Sequence, residues 1–246
     1  MFDTHIHLHL LPQQLKMSGP VLVPAVTQED WHLMLAQFAD QPNVLLALGL
    51  HPQQVDCWCE TCRQQLKRLL HHPQVVAIGE VGLDAALESS GENQEIVLRQ
   101  QIRLALEVGK PLILHCVKRY GRLLEILQQE SAATVGGIVH GYSASVEVAL
   151  ALHKLGFGIG VGRLILNDKA RHVAEAVTQL PAEMLVLETD APWPQHYGPQ
   201  DWTAVLTHIG QKIAQLRNES EQDVLNTTQD NARRLLKLSA GWKSEV

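Results

Sequence analysis

Short apolar runs recur along the chain and alternate with segments in which apolar residues repeat at helical spacing. Eight runs of four to seven residues are rich in Val, Ile and Leu, at 2–7, 21–26, 44–50, 75–80, 112–116, 137–140, 158–161 and 184–189. Near-continuous apolar runs of this length are typical of parallel strands that are buried on both faces. The pattern therefore predicts eight buried parallel strands.

The segments between these runs predict amphipathic helices. Apolar side chains share one helical face in four groups: Trp31, Met34, Leu35 and Phe38; Leu98, Ile102, Ala105 and Leu106; Val173, Ala176, Val177 and Leu180; and Trp202, Val205, Leu206, Ile209, Ile213 and Leu216. Thr27 and Asp30 have the spacing of a capping box at the start of the first helix. Strands that alternate with helices predict an α/β fold with a parallel sheet, either open or closed.

Polar residues stand at the C-terminal ends of most predicted strands: His5 and His7, His51, Glu80, His115, His140 and Asp190. A closed barrel gathers the C-terminal ends of all its strands around one mouth, whereas an open sheet has a crevice only where its strand order reverses. The chain also has no GxGxxG or GxxxxGK[ST] motif, so the nucleotide-binding open sheets have no support. We therefore predict a (β/α)8 TIM barrel.

Length, composition and charge refine this prediction. The 246 residues are 46% hydrophobic, which suits one barrel core, and we expect a single domain over 1–246. The net charge of −6 argues against a broad surface that binds nucleic acid regardless of sequence.

No apolar run has the length of a membrane span, and the N-terminal residues MFDTHIH do not have the pattern of a signal peptide. Four cysteines, three of them clustered, suit a reducing compartment, so we expect a cytoplasmic protein without a membrane partner.

The strand-end residues have the chemistry of a metal site. His5 and His7 are two apart on one predicted strand and point to the same face, so both imidazoles can reach one ion. Glu80, His115, His140 and Asp190 each end another apolar run. Six such ligands are too many for one tetrahedral ion and suit two ions that share a carboxylate. Because paired divalent ions lower the pKa of a water between them, the predicted chemistry is hydrolysis.

Seven motifs occur in order along the chain: FDTHIHL, GLHP, IGEVGLD, PLILH, VHGYSAS, GFGIGVG and LETDAPW. This series resembles the TatD-type metal-dependent deoxyribonucleases, a branch of the amidohydrolase-like barrel superfamily, over essentially the whole chain. The resemblance implies phosphodiester hydrolysis of DNA, with 3′–5′ exonuclease action as a finer expectation. It also implies two divalent ions, of Zn, Mn or Mg, and His-rich coordination favours the transition metals.

The resemblance also assigns roles to the six ligands. His5, His7 and Asp190 would bind one ion, and His115 and His140 the other. Glu80 would bridge both ions. We therefore expect Asp190 and Glu80 to be catalytic, with Asp190 orienting or deprotonating the attacking water.

Other residues are candidates for binding the substrate, which we expect to be DNA or a small phosphoester. His51 in GLHP is expected at the mouth, where it contacts substrate or supports a metal ligand. Arg163 and Lys169 follow the seventh strand and are expected to contact phosphate oxygens, the alternative being solvated surface charges. Asp84 is expected to hydrogen-bond a neighbouring ligand or a backbone amide rather than to bind metal.

Some positions depart from the family pattern. His9 stands where the family usually has Asp, Ala85 where it commonly has Tyr, and Arg163 where it usually has a second glycine; residues 193–199, WPQHYGP, replace a basic-polar segment. These departures leave open hydrolysis of a small amide, ester or phosphoester. A non-catalytic metal-binding protein that acts through a partner is a further alternative, which the presence of all six expected ligands disfavours. The oligomeric state also stays open.

The cysteine cluster CWCETC has two readings. Cys57, Cys59 and Cys62 have CxCxxC spacing, which could hold part of a thiolate metal site, but an obvious fourth ligand is missing. The alternative is the start of a helix with one buried face. Cys116 should be an inert packing residue because it points away from His115.

Overall fold

The computed structural model describes residues 1–11, 19–89, 91–192 and 202–239. Seven parallel strands lie side by side in chain order: β1 Val21–Pro24, β2 Val44–Ala47, β3 Val75–Asp84, β4 Leu112–Val117, β5 Gly137–Val139, β6 Phe157–Val161 and β7 Leu185–Leu187. Every neighbouring pair is parallel, beginning with Val21 opposite Val44. Seven of the eight predicted strands are therefore confirmed as strands.

The first predicted strand, 2–7, is wrong as a regular strand, although the segment occupies the eighth strand position. It forms only an isolated bridge between Asp3 and Val21. On the β1 side, the Ile6 N–H donates to the Leu22 carbonyl at 3.1 Å. On the β7 side, the Thr4 N–H donates to the Leu187 carbonyl at 2.9 Å. A 3-10 turn follows the segment at Leu8, and the segment joins both edges of the sheet and completes the (β/α)8 fold.

Eight α-helices are present in the described ranges: α1 Gln28–Gln37, α2 Glu60–Leu69, α3 Gly91–Val108, α4 Tyr120–Gln129, α5 Val146–Lys154, α6 Arg171–Gln179, α7 Trp202–Arg217 and α8 Glu221–Leu235. The predicted capping box of α1 is confirmed, because the Asp30 N–H donates to Thr27 Oγ1 and the Thr27 N–H donates to the Asp30 carboxylate at 2.7 Å. Within the described residues, no helix is both long and apolar enough to cross a membrane.

Alternating strand residues divide the core into two clusters. The larger one lies between the strands and the surrounding helices, and the smaller one fills the inside of the barrel with Phe2, Leu22, Leu45, Ala47, Ala77, Ile113, Ile138 and Val186. Ala232, Leu235 and Leu236 from the end of α8 join the inner cluster. Gly158 permits this approach, since a Cβ there would lie 2.4 Å from Leu235 Cδ1. The apolar interior and α8 fill one end of the barrel and leave the polar residues at the other.

Candidate metal centre

The seven strand-end residues singled out in the sequence come from six segments and meet at one end of the barrel. His5 and His7 lie on the N-terminal segment, and the others lie in or just after β2, β3, β4, β5 and β7, in the order His51, Glu80, His115, His140 and Asp190. Three groups of their ligand atoms converge within 4.8 Å: His5 with His7 and Asp190; His5 with Glu80 and His140; and His51 with Glu80 and His115. Barrel closure thus brings together side chains up to 185 positions apart in sequence.

The sequence predicted that Glu80 ends its strand, and this is wrong because β3 continues to Asp84. The pairing of β3 with β4 shifts register between Ile78 and Val81, so Glu80 lies in an irregular stretch inside the strand. Its N–H donates instead to the Ala25 carbonyl at 2.9 Å, in the segment after β1. This irregularity places the Glu80 carboxylate, which is only 3% exposed, among the histidines.

The two oxygens of Glu80 face different sets of ligand atoms. Oε1 lies 2.9 Å from His115 Nδ1 and 2.7 Å from His140 Nε2. Oε2 lies 3.4 Å from His5 Nε2 and 3.7 Å from His7 Nε2. Asp190 Oδ1 is 3.8 Å and 3.7 Å from the same two nitrogens. Glu80 is therefore placed between two separate groups of donors, as a bridging carboxylate would be.

The donor set fits bound cations. Nε2 of His5 and Nε2 of His7 are 3.3 Å apart, and His115 Nδ1 and His140 Nε2 are 3.0 Å apart. Nitrogen ligands at ~2.0–2.1 Å from a tetrahedral ion lie roughly 3.3 Å from each other, so these separations suit a shared ion. In the described part of the chain, Nδ1 of His5, His7 and His140 are buried without a hydrogen-bond partner. Four imidazoles around one buried carboxylate favour Zn²⁺ or another transition metal over Mg²⁺.

Asp84 contacts both kinds of partner that the sequence predicted, a candidate ligand and a backbone amide. Its Oδ2 lies 3.0 Å from His115 Nε2, and its Oδ1 accepts the Ala86 N–H at 2.7 Å. Gln94 holds the same residue from the other side, because its Oε1 accepts the Asp84 N–H at 2.8 Å. With the Nε2 proton directed to Asp84, the Nδ1 lone pair of His115 is left facing Glu80.

His51 presents its other ring nitrogen to Glu80: Nε2 faces the carboxylate, whereas His115 faces it with Nδ1. Nδ1 of His51 accepts the Gln53 N–H at 3.2 Å, and burial lowers the pKa of His51 to about 4, so the ring is neutral at pH 7. A neutral imidazole whose Nδ1 accepts carries its proton on Nε2, the atom 3.5 Å from Glu80 Oε1. His51 is thus placed to donate toward Glu80 or a bound anion, rather than to bind metal.

The charges inside the site are balanced by Glu80. Burial alone would raise the pKa of this carboxyl, but His140 and His5 beside it lower the pKa well below the usual value. Burial opposes the charged form of His140 as well, and the Glu80 carboxylate outweighs it, raising the pKa of His140 to about 10. Burial lowers the pKa of His5 to about 4. The metal-free site therefore holds an ionised Glu80 paired with a protonated His140, beside a neutral His5.

Two buried carboxyls lie behind the ligands. Asp3, which the sequence reasoning missed, accepts the His5 N–H at 3.2 Å and the Thr189 hydroxyl at 2.6 Å. Its position two residues before His5 in FDTHIH was the available signal, since period-two residues share a strand face. Glu188 accepts the Gly141 N–H at 2.5 Å and fills the space over Gly160, where a Cβ would lie 1.9 Å from Oε2. Burial raises the pKa of Asp3 to about 7 and that of Glu188 to about 8.

A cavity of about 540 Å³ opens beside Asp190. Its wall includes Arg163, at the start of a short 3-10 helix (Arg163–Leu166), and Tyr142, which the sequence reasoning did not single out. Lys169 lies on an exposed turn and is not part of this wall. The substituted segment at 193–199 lies outside the described residues.

Comparison with known proteins shows a single family over nearly the whole chain. The family profile described as TatD related DNase matches residues 2–237. A Bacillus subtilis (strain 168) protein, "Uncharacterized metal-dependent hydrolase YabD", is 30% identical over 256 residues, covering 97% of this chain and 100% of that protein. The "3'-5' ssDNA/RNA exonuclease TatD" of Edwardsiella piscicida is 32% identical over 238 residues, covering 92% and 91%. The crystal structure of YJJV, a TatD homolog from Escherichia coli K12, superimposes with a TM-score of 0.88 at 28% identity, covering 97% and 98%.

Proposed function

The chain belongs to the TatD related DNase family of metal-dependent hydrolases, and we propose that it hydrolyses phosphodiester bonds in single-stranded DNA. In this proposal the enzyme uses two divalent ions and works from the 3′ end of the strand. One observation carries the proposal: the two oxygens of Glu80 face separate groups of nitrogen donors. We assign one ion to His5, His7 and Asp190, the other to His115 and His140, and the bridge to Glu80. When bound, the ions supply Lewis acidity toward a phosphate oxygen and toward the attacking water.

Asp190 is the residue best placed to handle the water proton. Its side chain is 45% exposed, unlike the buried Glu80 and His5, so its carboxylate faces both the ligands and the open cavity. Its backbone lies in the left-handed region, with φ of 54°, and its N–H donates to the His5 carbonyl at 2.8 Å. We assign it the orientation and deprotonation of the attacking water.

Arg163, Lys169 and His51 are assigned to the substrate. The Arg163 guanidinium borders the cavity that adjoins Asp190, and a nucleotide beyond the cleaved bond would occupy this space. His51 is directed to the developing charge by its Nε2–H. Lys169, six residues beyond Arg163 on an exposed turn, is assigned to a more distant phosphate of the strand. A few placed cations suffice for a chain of net charge −6 because the bound ions neutralise the phosphate.

The decisive experiment combines metal analysis with cleavage of oligonucleotides. The metal-free protein, reloaded with Zn²⁺, Mn²⁺ or Mg²⁺, should shorten a 5′-labelled single strand one nucleotide at a time. Glu80→Gln keeps the shape of the side chain but removes the bridging charge, and it should lower both metal content and turnover by at least about tenfold. Glu60→Gln is the matched control, since Glu60 is exposed and pairs only with Arg63 and Gln64 in the described contacts.

The results distinguish the proposed function from its alternatives. Full metal content in Glu80→Gln would contradict the bridge. Metal-loaded protein that spares oligonucleotides but hydrolyses a generic phosphoester or amide would replace DNA with a small substrate. Metal-loaded protein inactive on all of these would favour the non-catalytic alternative.

We also propose that the enzyme acts as a single domain in the cytoplasm. All four of its cysteines are free thiols, and three of them lie within six positions, which suits a reducing compartment. Fractionation of the source cells with an antibody to the chain tests this location.

A further inference from the structure

The cysteine cluster of CWCETC lies apart from the metal centre, at the N-terminus of α2. Cys59 is the N-cap of this helix and is exposed, and its sulfur accepts the Cys62 N–H at 3.4 Å. Cys62, one turn later, is buried at 4% exposure. The two sulfurs are 3.1 Å apart. An exposed and a buried cysteine, three positions apart at a helix start, are thus in direct contact.

The third cysteine does not join them. Cys57 is exposed, and the contact of its sulfur is with Gln54 Oε1 at 3.9 Å. No group of three ligand atoms that includes a cysteine converges within 4.8 Å anywhere in the ranges that the structure describes. The geometry therefore disfavours the thiolate metal site that the CxCxxC spacing left open, and it singles out Cys59 and Cys62 as a pair.

The surroundings give the two sulfurs different chemistry. Hydrogen bonding with the Cys62 side chain and with the Cys62 N–H lowers the pKa of the exposed Cys59 thiol, and the positive end of the α2 dipole also favours its thiolate. Burial raises the pKa of the Cys62 thiol, which donates to Gln28 Oε1 at 2.9 Å. The Gln28 amide is held in this orientation because its Nε2 donates to Gln65 Oε1 at 2.8 Å. Cys59 is thus suited to be the nucleophilic cysteine, and Cys62 the resolving cysteine that stays protonated until a mixed disulfide forms.

We propose that Cys59 and Cys62 are a redox-active dithiol that reacts with small disulfides of the glutathione type. The Cys59 thiolate attacks one sulfur of the disulfide, and the other half leaves as a thiolate. Cys62 then loses its proton to solvent, and its sulfur attacks Cys59, which expels the second small thiolate. The cysteine pair is oxidised by two electrons, and the small disulfide is reduced to two thiols.

Oxidation of the pair would change the contacts at the starts of α1 and α2. A disulfide sulfur carries no proton, so Cys62 can no longer donate to Gln28, the first residue of α1. The sulfurs must also close from 3.1 Å to about 2.05 Å. A single 3-10 helix, Pro52–Cys57, connects this region to His51.

The test is a redox titration of the metal-loaded chain in glutathione buffers, followed by alkylation and mass analysis. The chain should lose two of its four free thiols. The Cys57→Ser variant should lose the same two, and cleavage after Glu60 should then leave two peptides joined by the Cys59–Cys62 bond. In reduced protein, Cys59 should also be alkylated several-fold faster at pH 7 than Cys57, its exposed internal control.

Variants at the pair complete the test. Cys59→Ser should abolish the internal disulfide. Cys62→Ala should trap glutathione on Cys59, and Cys62→Ser replaces this variant if it does not fold. A stable glutathione adduct on Cys59 in the unmodified chain, or a disulfide that depends on Cys57, would overturn the proposal. So would zinc that protects all three cysteines from alkylation until a chelator is added.

Discussion

Replacement of Asp84 by Asn should weaken one of the two proposed ions and spare the other. Asp84 Oδ1 accepts the Ala86 N–H at 2.7 Å, while Oδ2 faces His115 Nε2 at 3.0 Å. In the Asp84→Asn variant the remaining oxygen keeps the Ala86 bond, so the new NH₂ group faces His115 Nε2. Two donors cannot face each other, and His115 must move its proton to Nδ1, the atom 2.9 Å from Glu80 Oε1. The lone pair needed for the metal is thereby lost.

The size of the effect follows from the bond that is removed. A hydrogen bond to a charged group contributes about 1.5–3 kcal/mol, and each ~1.4 kcal/mol is a factor of ten in affinity. The ion on the His115 side should therefore bind about 10- to 100-fold more weakly, the range known for groups that orient metal-binding histidines. The ion held by His5, His7 and Asp190 should keep its affinity within about twofold, because none of these residues contacts Asp84 in the described hydrogen bonds and ion pairs.

Calorimetric titration of the metal-free protein with Zn²⁺ or Mn²⁺ would measure both affinities, and kcat/KM on a labelled oligonucleotide would measure the catalytic loss. Asp56→Asn is the matched control, since Asp56 is exposed and accepts the Asn93 side-chain N–H at 3.1 Å, away from the site. Equal weakening of both ions, or unchanged affinity for both, would refute the assignment of Asp84 to His115.

Three further predictions concern pH and stability. His140 in the metal-free site has a pKa of about 10, so an ion must displace its proton. The apparent metal affinity should therefore fall by up to about tenfold for each unit by which the pH drops below that value. A calorimetric pH series without this trend would contradict the assignment of a charged His140. The folded-state pKa of Glu188 is about 8, above its ordinary value of 4.5, so between these values the folded chain keeps a proton that the unfolded chain has lost. The metal-free protein should therefore lose free energy of unfolding as the pH rises from about 5 to 8, by up to about 1.4 kcal/mol per pH unit. Glu188→Gln should flatten this slope in urea unfolding, and an unchanged slope would mean that Glu188 is ionised when folded. Thr27→Ala removes half of the α1 capping box and should lower the free energy of unfolding by about 1 kcal/mol in the same assay, whereas no change would show that the cap is dispensable.

Local features of the chain predicted most of the secondary structure. The seven apolar runs after the first all became strands, and the Thr27–Asp30 spacing became a capping box, because burial pattern and capping depend on residues within a few positions of each other. The six expected ligands also converge, since parallel strands in a barrel must bring their C-terminal ends to one mouth. These inferences needed only residue order and the geometry of a strand.

Other features depend on contacts between distant segments. The sequence alone could not show that Glu80 lies in an irregularity of β3, because the register shift is set by pairing with β4 and by the bond to Ala25. Nor could it show that Asp3 lies under Thr189, or that Cys59 contacts Cys62 while Cys57 turns away.

The same division applies to the centre itself. The residue types along the chain predicted candidate metal ligands in or just after the strands, but spacing specifies only the face to which a side chain points, not its distance from another strand. Closure of the barrel, through the hydrogen bonds of the N-terminal segment to β1 and β7, fixes those distances. It decides that Oε2 of Glu80 faces His5 and His7 while Oε1 faces His115 and His140. The candidate ligands are therefore a property of the sequence, and the position of Glu80 between two pairs of histidines is a property of the tertiary structure.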